Sequence, residues 1–196
     1  MKIKTIEELN EKLAYFPGIS KKQAEKMSNF LLTQEEKYID ELIDKLINFK
    51  KKINFCPQCN LLRENDFCSN CNEEKENNSL IIVENVAVSN RLSNFNVFQG
   101  YFYVLPYIIE PKSDLLDDKY EYNELFEYIA KHNFEEIIIM LSPSLNGELT
   151  TNYLLEKLKE SKIKCTRAAI GMPMNSSIDY LDAFTLKQSL ENRNSK

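Results

Sequence analysis

The stretch from Phe55 to Cys71, FCPQCNLLRENDFCSNC, holds four of the chain's five cysteines in two Cys-x-x-Cys pairs. Each pair fits a tight turn that points both sulfurs at one tetrahedral ion, and the residues between the pairs suffice for a hairpin. Four thiolates leave no open coordination position, so the spacing predicts a structural site with one Zn²⁺ per chain. The predicted ligands are Cys56, Cys59, Cys68 and Cys71.

Two alternatives remain for these cysteines, namely a pair of redox Cys-x-x-Cys motifs or a coincidence of spacing. About twenty mainly polar residues cannot build a core, so a bound ion would supply the folding free energy of the segment. The segment would then act as a rigid joint between the parts that flank it. Cys165 stands apart in a predicted strand, where a buried apolar role is the simplest interpretation.

The composition of the 196-residue chain, with a formal net charge of -5, argues against a broadly basic nucleic-acid binder. The charge is uneven, because residues 1–63 carry 12 Lys or Arg against 9 Asp or Glu, whereas residues 80–196 carry 12 against 16. A polyanion should therefore meet the N-terminal part first. The charged N-terminus and the lack of a long apolar run predict a cytoplasmic protein without a membrane span, where a metal is favoured over disulfides.

Residues 5–52 show apolar positions at helical spacing and predict three helices. The stretch FPGIS, residues 16–20, separates the first helix from the second through its Pro and Gly. Thr33 is the predicted N-cap of the third helix, with Glu36 completing a capping box.

Beyond Ser79 short apolar runs alternate with helical stretches, which predicts an α/β domain with a mainly parallel sheet. The predicted strands are residues 80–84, 101–105, 136–141 and 162–169, and the predicted helices are residues 120–131 and 148–161. The chain as a whole is predicted to be a multidomain α/β protein. Its predicted parts are a helical domain at 1–53, a four-cysteine module at 54–78 and an α/β domain with a C-terminal tail at 79–196.

The Pro-Gly turn and the helix that follows it suit a phosphate group, because a helix N-terminus offers free N–H groups and a positive dipole. The turn is similar to the helix-hairpin-helix motif, which grips a nucleic-acid backbone without reading bases. An ordinary helical corner with solvated lysines is the alternative. The candidate DNA contacts here are Gly18, Ile19, Ser20, Lys21, Lys22 and Lys26.

A helix-hairpin-helix motif, a four-cysteine zinc module and an α/β domain opening on LIIVE, in this order, resemble the RecR family of bacterial recombination mediators. The likeness extends to VEN at residues 83–85, SPSLNGELTTNYL at residues 142–154 and CTRAAIGMPMNSSIDYLDAFTLKQSLENR at residues 165–193. The resemblance implies a Toprim fold for the α/β part. It also implies a non-enzymatic, DNA-binding homo-oligomeric ring that helps partners load recombinase at gaps in recombinational DNA repair, with RecO and RecF as those partners.

The acidic residues agree with the non-enzymatic expectation. Catalytic Toprim domains place a glutamate at one strand end and an Asp-x-Asp pair at a later one, so that several carboxylates hold Mg²⁺. Glu84 supplies the first, but LSPSLNGE at the later strand end offers only Glu148. These two carboxylates are candidates for a weak Mg²⁺ site and fall short of a catalytic set. Arg167 is a further candidate DNA contact, or else the partner of Glu84 or Glu148.

Two other functions remain open. One is a Mg²⁺-dependent Toprim phosphoryl-transfer enzyme of the nuclease or primase type, which a metal-dependent cleavage assay would reveal. The other is a protein-interaction adaptor that does not bind DNA, for which charge reversal at Lys21 and Lys22 would leave partner binding intact. The loop at residues 106–118 is acidic and short of glycine where the family has a glycine-rich loop, so the family's partner or DNA contact there is either changed or lost.

Overall fold

The computed structural model describes residues 3–111 and 121–193. The chain folds into two compact units, formed by residues 1–53 and 54–196. This division does not test the second predicted boundary, between the four-cysteine module and the α/β domain at residue 78, which stays a prediction. No helix in the described ranges is long and apolar enough to cross a membrane.

The N-terminal unit contains the three helices that the sequence predicts. They are α1 (Lys4–Leu13), α2 (Lys21–Leu32) and α3 (Glu36–Lys52). Among the described residues of this unit only Ala24 and Ser28, both on α2, are buried. The apolar faces of α1 and α3 therefore remain largely in contact with solvent in a single chain.

The predicted capping box of α3 is wrong. Thr33 is instead the C-cap of α2, where its hydroxyl donates to the carbonyl of Phe30 at 2.7 Å. The N-cap of α3 is Glu35, whose side chain makes no capping hydrogen bond. A threonine hydroxyl can hydrogen-bond a carbonyl of the preceding helical turn or an N–H of the following one. Here it donates to the last turn of α2.

The second unit is built on a four-stranded parallel sheet in the order β4-β3-β5-β6. The strands are β3 (Ser79–Val83), β4 (Tyr101–Val104), β5 (Glu136–Met140) and β6 (Lys164–Arg167). They confirm the four predicted strands, with ends that shift by a residue or two. Before the sheet, β1 (Ile53–Phe55) and β2 (Leu62–Glu64) form a small separate sheet, followed by the short α4 (Ser69–Asn72).

Helices cover both faces of the parallel sheet, whose central strands bury apolar side chains on each face. Those that pack on it are α5 (Val86–Asn94), α6 (Asn123–Lys131) and α7 (Leu145–Leu158), and a 3₁₀ turn at Ile178–Tyr180 leads to a further helix, α8 (Ala183–Glu191). Leu80 and Ile82 point to the face that packs against Leu125 of α6 and Leu154 of α7. Ile81 and its alternating neighbours point to the other face, where α5 lies. Helices α6 and α7 confirm the predicted helices, whereas α5 and α8 were not predicted.

The start of α7 depends on Gly147, which is buried and donates its N–H to the hydroxyl of Ser144 at 3.1 Å. A Cβ atom at Gly147 would lie 2.0 Å from the carbonyl oxygen of Ser142, whereas nothing lies within 4 Å of a Cβ at Gly171. The backbone at the end of β5 would therefore have to move to accept a side chain at Gly147.

We expect Gly147→Ala to lower the free energy of unfolding by about 1–3 kcal/mol, because overpacking against backbone cannot be relieved by a rotamer change. Gly171→Ala is the matched control and should leave it within about 0.5 kcal/mol of the wild type. Urea denaturation followed by circular dichroism measures both. Equal midpoints for the two variants would contradict the packing account.

Candidate functional site

The four predicted cysteines meet in one cluster. Their Sγ atoms all lie within 4.8 Å of one another. The Sγ atoms of Cys56 and Cys71 are 3.9 Å apart, and those of Cys59 and Cys68 are 3.7 Å apart. Four sulfurs arranged tetrahedrally about 2.3 Å from one ion would be separated by about 3.8 Å. The cluster therefore has the dimensions of a four-thiolate metal centre.

Two turns of similar design present the sulfurs. In the first, the N–H of Asn60 donates to the carbonyl of Cys56 at 2.9 Å, and Asn60 adopts a left-handed conformation with φ of 60°. In the second, the N–H groups of Cys71 and Asn72 donate to the carbonyl of Cys68. Asparagine tolerates the left-handed region better than most residues, which explains its place directly after the first pair.

The chain between the two turns forms the predicted hairpin. Glu64 and Phe67 exchange backbone hydrogen bonds at 3.1 and 3.0 Å across a two-residue turn. Asn65, in that turn, has a positive φ of 54°. The hairpin brings the second cysteine pair back beside the first.

Proton affinities within the cluster are uneven. The pKa of Cys59 is raised, first by the hydrogen bond of this thiol to Cys71 and then by its burial. The hydrogen bond from Cys59, followed by those from Tyr128 and Asn70, lowers the pKa of Cys71 to about 5. In the part of the chain that the structure describes, no other group of three or more His, Cys, Asp or Glu side chains could hold a metal.

The cysteine segment also covers the edge of the parallel sheet. The Asn70 side chain accepts from the N–H of Phe102 at 2.8 Å and donates to its carbonyl at 2.9 Å. Two residues further along β4, the N–H of Val104 donates to the carbonyl of Cys59 and its own carbonyl accepts from the Asn60 side chain. All four outward-facing backbone groups of these two edge residues are thus paired with the cysteine segment.

The candidate nucleic-acid contact lies at the turn between α1 and α2. Gly18 adopts φ of +80°, a conformation that favours glycine. Ser20 caps α2 through a reciprocal capping box with Gln23, and the N–H of Ile19 donates to the carbonyl of Phe16 at 3.1 Å. The amides of Ile19 and Ser20 are therefore used within the chain.

The lysines beside this turn lie at the surface. Lys21, Lys22 and Lys26 are exposed, and none of them pairs with a carboxylate among the residues described. Helix α2 has no acidic residue in its first turn. The N-terminal end of α2 therefore keeps its positive potential.

The strand-end carboxylates both have partners. Glu84 accepts hydrogen bonds from the backbone N–H and the hydroxyl of Ser142, at 3.3 and 2.6 Å. Glu148 receives two hydrogen bonds from the guanidinium of Arg167, at 2.9 and 2.7 Å. These carboxylates have structural roles in the fold as it stands.

Comparison with known proteins agrees with this architecture. The Toprim domain family matches residues 78–169, and the family "RecR, C-terminal" matches residues 171–194. The Recombination protein RecR of Mycoplasmopsis pulmonis is 37% identical over 193 residues, which cover 98% of this chain and 100% of that protein. The chain belongs to the RecR family.

Other relatives of the same name extend this finding within the RecR family. The Recombination protein RecR of Ureaplasma parvum is 34% identical over 189 residues, covering 95% of this chain and 94% of that protein. That of Carboxydothermus hydrogenoformans is 33% identical over 192 residues, with coverage of 96% and 95%. The resemblance expected from the sequence is confirmed.

Some residues of the site were not expected from the sequence. The cysteine segment is held against the sheet and α6 by contacts of Asn60, Asn70 and Tyr128. The hydroxyl of Ser142 donates a hydrogen bond to the carboxylate of Glu84. The asparagine after the first Cys-x-x-Cys pair was a usable signal, because a residue there must adopt a turn conformation. Nothing in the sequence pairs Asn70 with Phe102. Of the altered loop at 106–118, residues 112–118 lie outside the described ranges.

We expect Asn70→Ala to lower the free energy of unfolding by about 2–6 kcal/mol, because two buried backbone groups of Phe102 would lose their partner at about 1–3 kcal/mol each. Asn90→Ala, at an exposed position on α5, is the control and should cost less than about 1 kcal/mol. Denaturant unfolding at saturating Zn²⁺ measures the difference. A loss no larger than that of the control would show that the edge of β4 does not need Asn70.

Proposed function

We propose that this chain is a non-catalytic, DNA-binding recombination mediator that acts in recombinational DNA repair and helps partner proteins load recombinase at gaps. The observation that carries the proposal is identity of 30% or more, along nearly the whole chain, to proteins named Recombination protein RecR. By family resemblance the partners are RecO and RecF. The proposed location is the cytoplasm.

DNA would be held through its backbone, without regard to sequence, at the turn before α2. The amides of Ile19 and Ser20 already have partners, so the phosphate-binding donors would be the amides of Gly18, Lys21 and Lys22. The side chains of Lys21 and Lys22, with Lys26 one turn on, would add charge. Arg167 is the weaker candidate, because it must first release Glu148 to reach a phosphate.

The absence of catalysis is part of the proposal. Glu84 and Glu148 would have to give up Ser142 and Arg167 before they could share a Mg²⁺ ion. Residues 141–148, LSPSLNGE, supply no aspartate at the end of β5. A phosphoryl-transfer step would therefore lack the carboxylates that hold the metal against the phosphodiester.

The metal of the cysteine cluster is proposed to be Zn²⁺, one structural ion per chain. Soft thiolates in a tetrahedral set select zinc over hard cations such as Mg²⁺ and Ca²⁺. The Sγ separations of 3.7 and 3.9 Å fit the Zn–S bond length. Bound there, the ion would supply folding free energy to the hairpin and its two turns.

The surface of α3 would supply one contact between copies in the proposed homo-oligomeric ring. This 17-residue helix has no buried residue, although its apolar side chains recur at helical spacing. Leu42, Ile43, Leu46 and Ile47 are between 37% and 58% exposed. A second copy of the same helix would cover this stripe and give it the burial that helices need for stability.

The first test is DNA affinity, measured by fluorescence anisotropy on single-stranded, duplex and gapped oligonucleotides at several salt concentrations. We expect the Lys21→Glu, Lys22→Glu variant to bind at least 10-fold more weakly. Its slope of log affinity against log salt should be shallower by about 2, because each phosphate contact contributes about 0.9. Zinc content and circular dichroism establish that the fold is unchanged.

Lys157→Glu, Lys162→Glu is the charge-matched control, because both lysines are exposed and lie in the α/β part. This variant should lose much less affinity. A wild type that binds no DNA at concentrations where it is oligomeric would contradict direct DNA binding and favour the adaptor. Cleavage of the oligonucleotides on addition of Mg²⁺ would favour the enzyme.

Oligomer formation provides a second test. We expect Ile43→Asp, Ile47→Asp to dissociate the assembly, because two carboxylates would replace apolar contacts on one face of α3. Glu41→Gln, Lys45→Gln, on the opposite side of the same helix, should leave the assembly intact. Sedimentation velocity gives the mass of each species. An unchanged mass for the aspartate variant would exclude this face from the interface.

A further inference from the structure

The metal centre has a neighbour from a distant part of the chain. Tyr128 lies on α6, 57 residues from Cys71 in sequence, and is 4% exposed. Its hydroxyl is 3.9 Å from the Sγ of Cys71 and 3.4 Å from the Nδ2 of Asn70. Helix α6 belongs to the α/β part, so this contact crosses from the sheet to the cysteine segment.

The chemistry of a bound metal fixes the direction of these hydrogen bonds. A cysteine that binds a cation is a thiolate and can only accept, so the hydroxyl of Tyr128 must donate to Cys71. The Asn70 amide nitrogen donates to the carbonyl of Phe102 at 2.9 Å and lies 3.4 Å from the Tyr128 hydroxyl and 3.8 Å from the Sγ of Cys71. One chain of hydrogen bonds thus joins the thiolate to both α6 and β4.

We propose that Tyr128 is a positioning residue of the metal centre, and that the centre is completed by the α/β part rather than by the cysteine segment alone. The proposal rests on the metal that the proposed function assigns to the four cysteines. Metal binding would then stabilise the packing of α6, and the packing of α6 would tighten the metal. A metal that stabilised only the hairpin of the cysteine segment would show neither effect.

Tyr128 could instead serve only to fill the core. Its ring packs near those of Tyr103 and Phe134, with centroids 5.4 and 5.9 Å away. Tyr128→Phe keeps this ring and removes only the hydroxyl, so it separates the two roles. Tyr101→Phe is the matched control, because Tyr101 is a partly buried tyrosine near the same Phe134 and makes no hydrogen bond to a cysteine among the described residues.

We expect full-length Tyr128→Phe to bind Zn²⁺ about 10-fold to 100-fold more weakly than the wild type, the range found for lost outer-shell partners of metal ligands. Competition with a chromophoric chelator measures this affinity. With Co²⁺ as the probe, the sulfur-to-cobalt charge-transfer band should shift, because a thiolate that loses a hydrogen bond donates more charge. Tyr101→Phe should match the wild type in both measurements.

The outcomes separate this inference from the proposed metal itself. A wild type that takes up no metal would contradict the metal assignment, whereas equal affinity and an unchanged cobalt band in Tyr128→Phe would overturn only the role of Tyr128. If Tyr128→Phe does not fold, hydrogen exchange of the wild type with and without chelator tests whether the metal stabilises α6. Lost protection in Asn123–Lys131 upon metal removal is the expected result, and loss confined to residues 54–72 would overturn the proposal.

Discussion

The sheet depends on how its edge strand β4 is closed. Leu105 donates to Val83 on the inner side of that strand, so Phe102 and Val104 point their backbone groups away from β3. Both residues are buried, and unpaired backbone groups there would each cost about 1–3 kcal/mol. The cysteine segment pairs all four groups and so takes the place of a fifth strand. A metal bound by the four cysteines would make this cover rigid, although the segment is too small to be rigid by itself.

The carboxylates that follow strands β3 and β5 are both bound by other groups of the chain. Glu84 stands where a Toprim enzyme would hold a metal, yet here its carboxylate fixes the backbone of Ser142. Glu148 is neutralised by Arg167 through two parallel hydrogen bonds, the strongest geometry available to that pair. An arginine side chain thus carries the positive charge that a divalent ion would bring.

Much of this architecture could be predicted from the sequence, because its signals are local. Fully apolar runs such as LIIV, residues 80–83, predict buried parallel strands, and doubled Cys-x-x-Cys pairs predict a metal-binding cluster. What escaped prediction depends on tertiary contacts. Helix α5, VAVSNRLSN, has a weak apolar pattern because Ser89 is its only fully buried residue among those described. Its N-cap, Asn85, lies in the VEN stretch that carries the family resemblance, and that stretch does not by itself predict the start of a helix. The pairing of Asn70 with Phe102 spans 32 residues and has no local signature.

The N-terminal unit raises a different physical question, because only Ala24 and Ser28 are buried within its described residues. Apolar burial is the main source of helix stability in proteins, so α3 needs a surface that its own unit does not supply. Assembly would provide that surface and would also bring several lysine-bearing turns together. Binding of one DNA molecule by several turns multiplies a weak phosphate contact through effective concentration. Folding of the unit and affinity for DNA would thus have the same origin in the contact between copies, which reconciles a net charge of -5 with a polyanionic ligand.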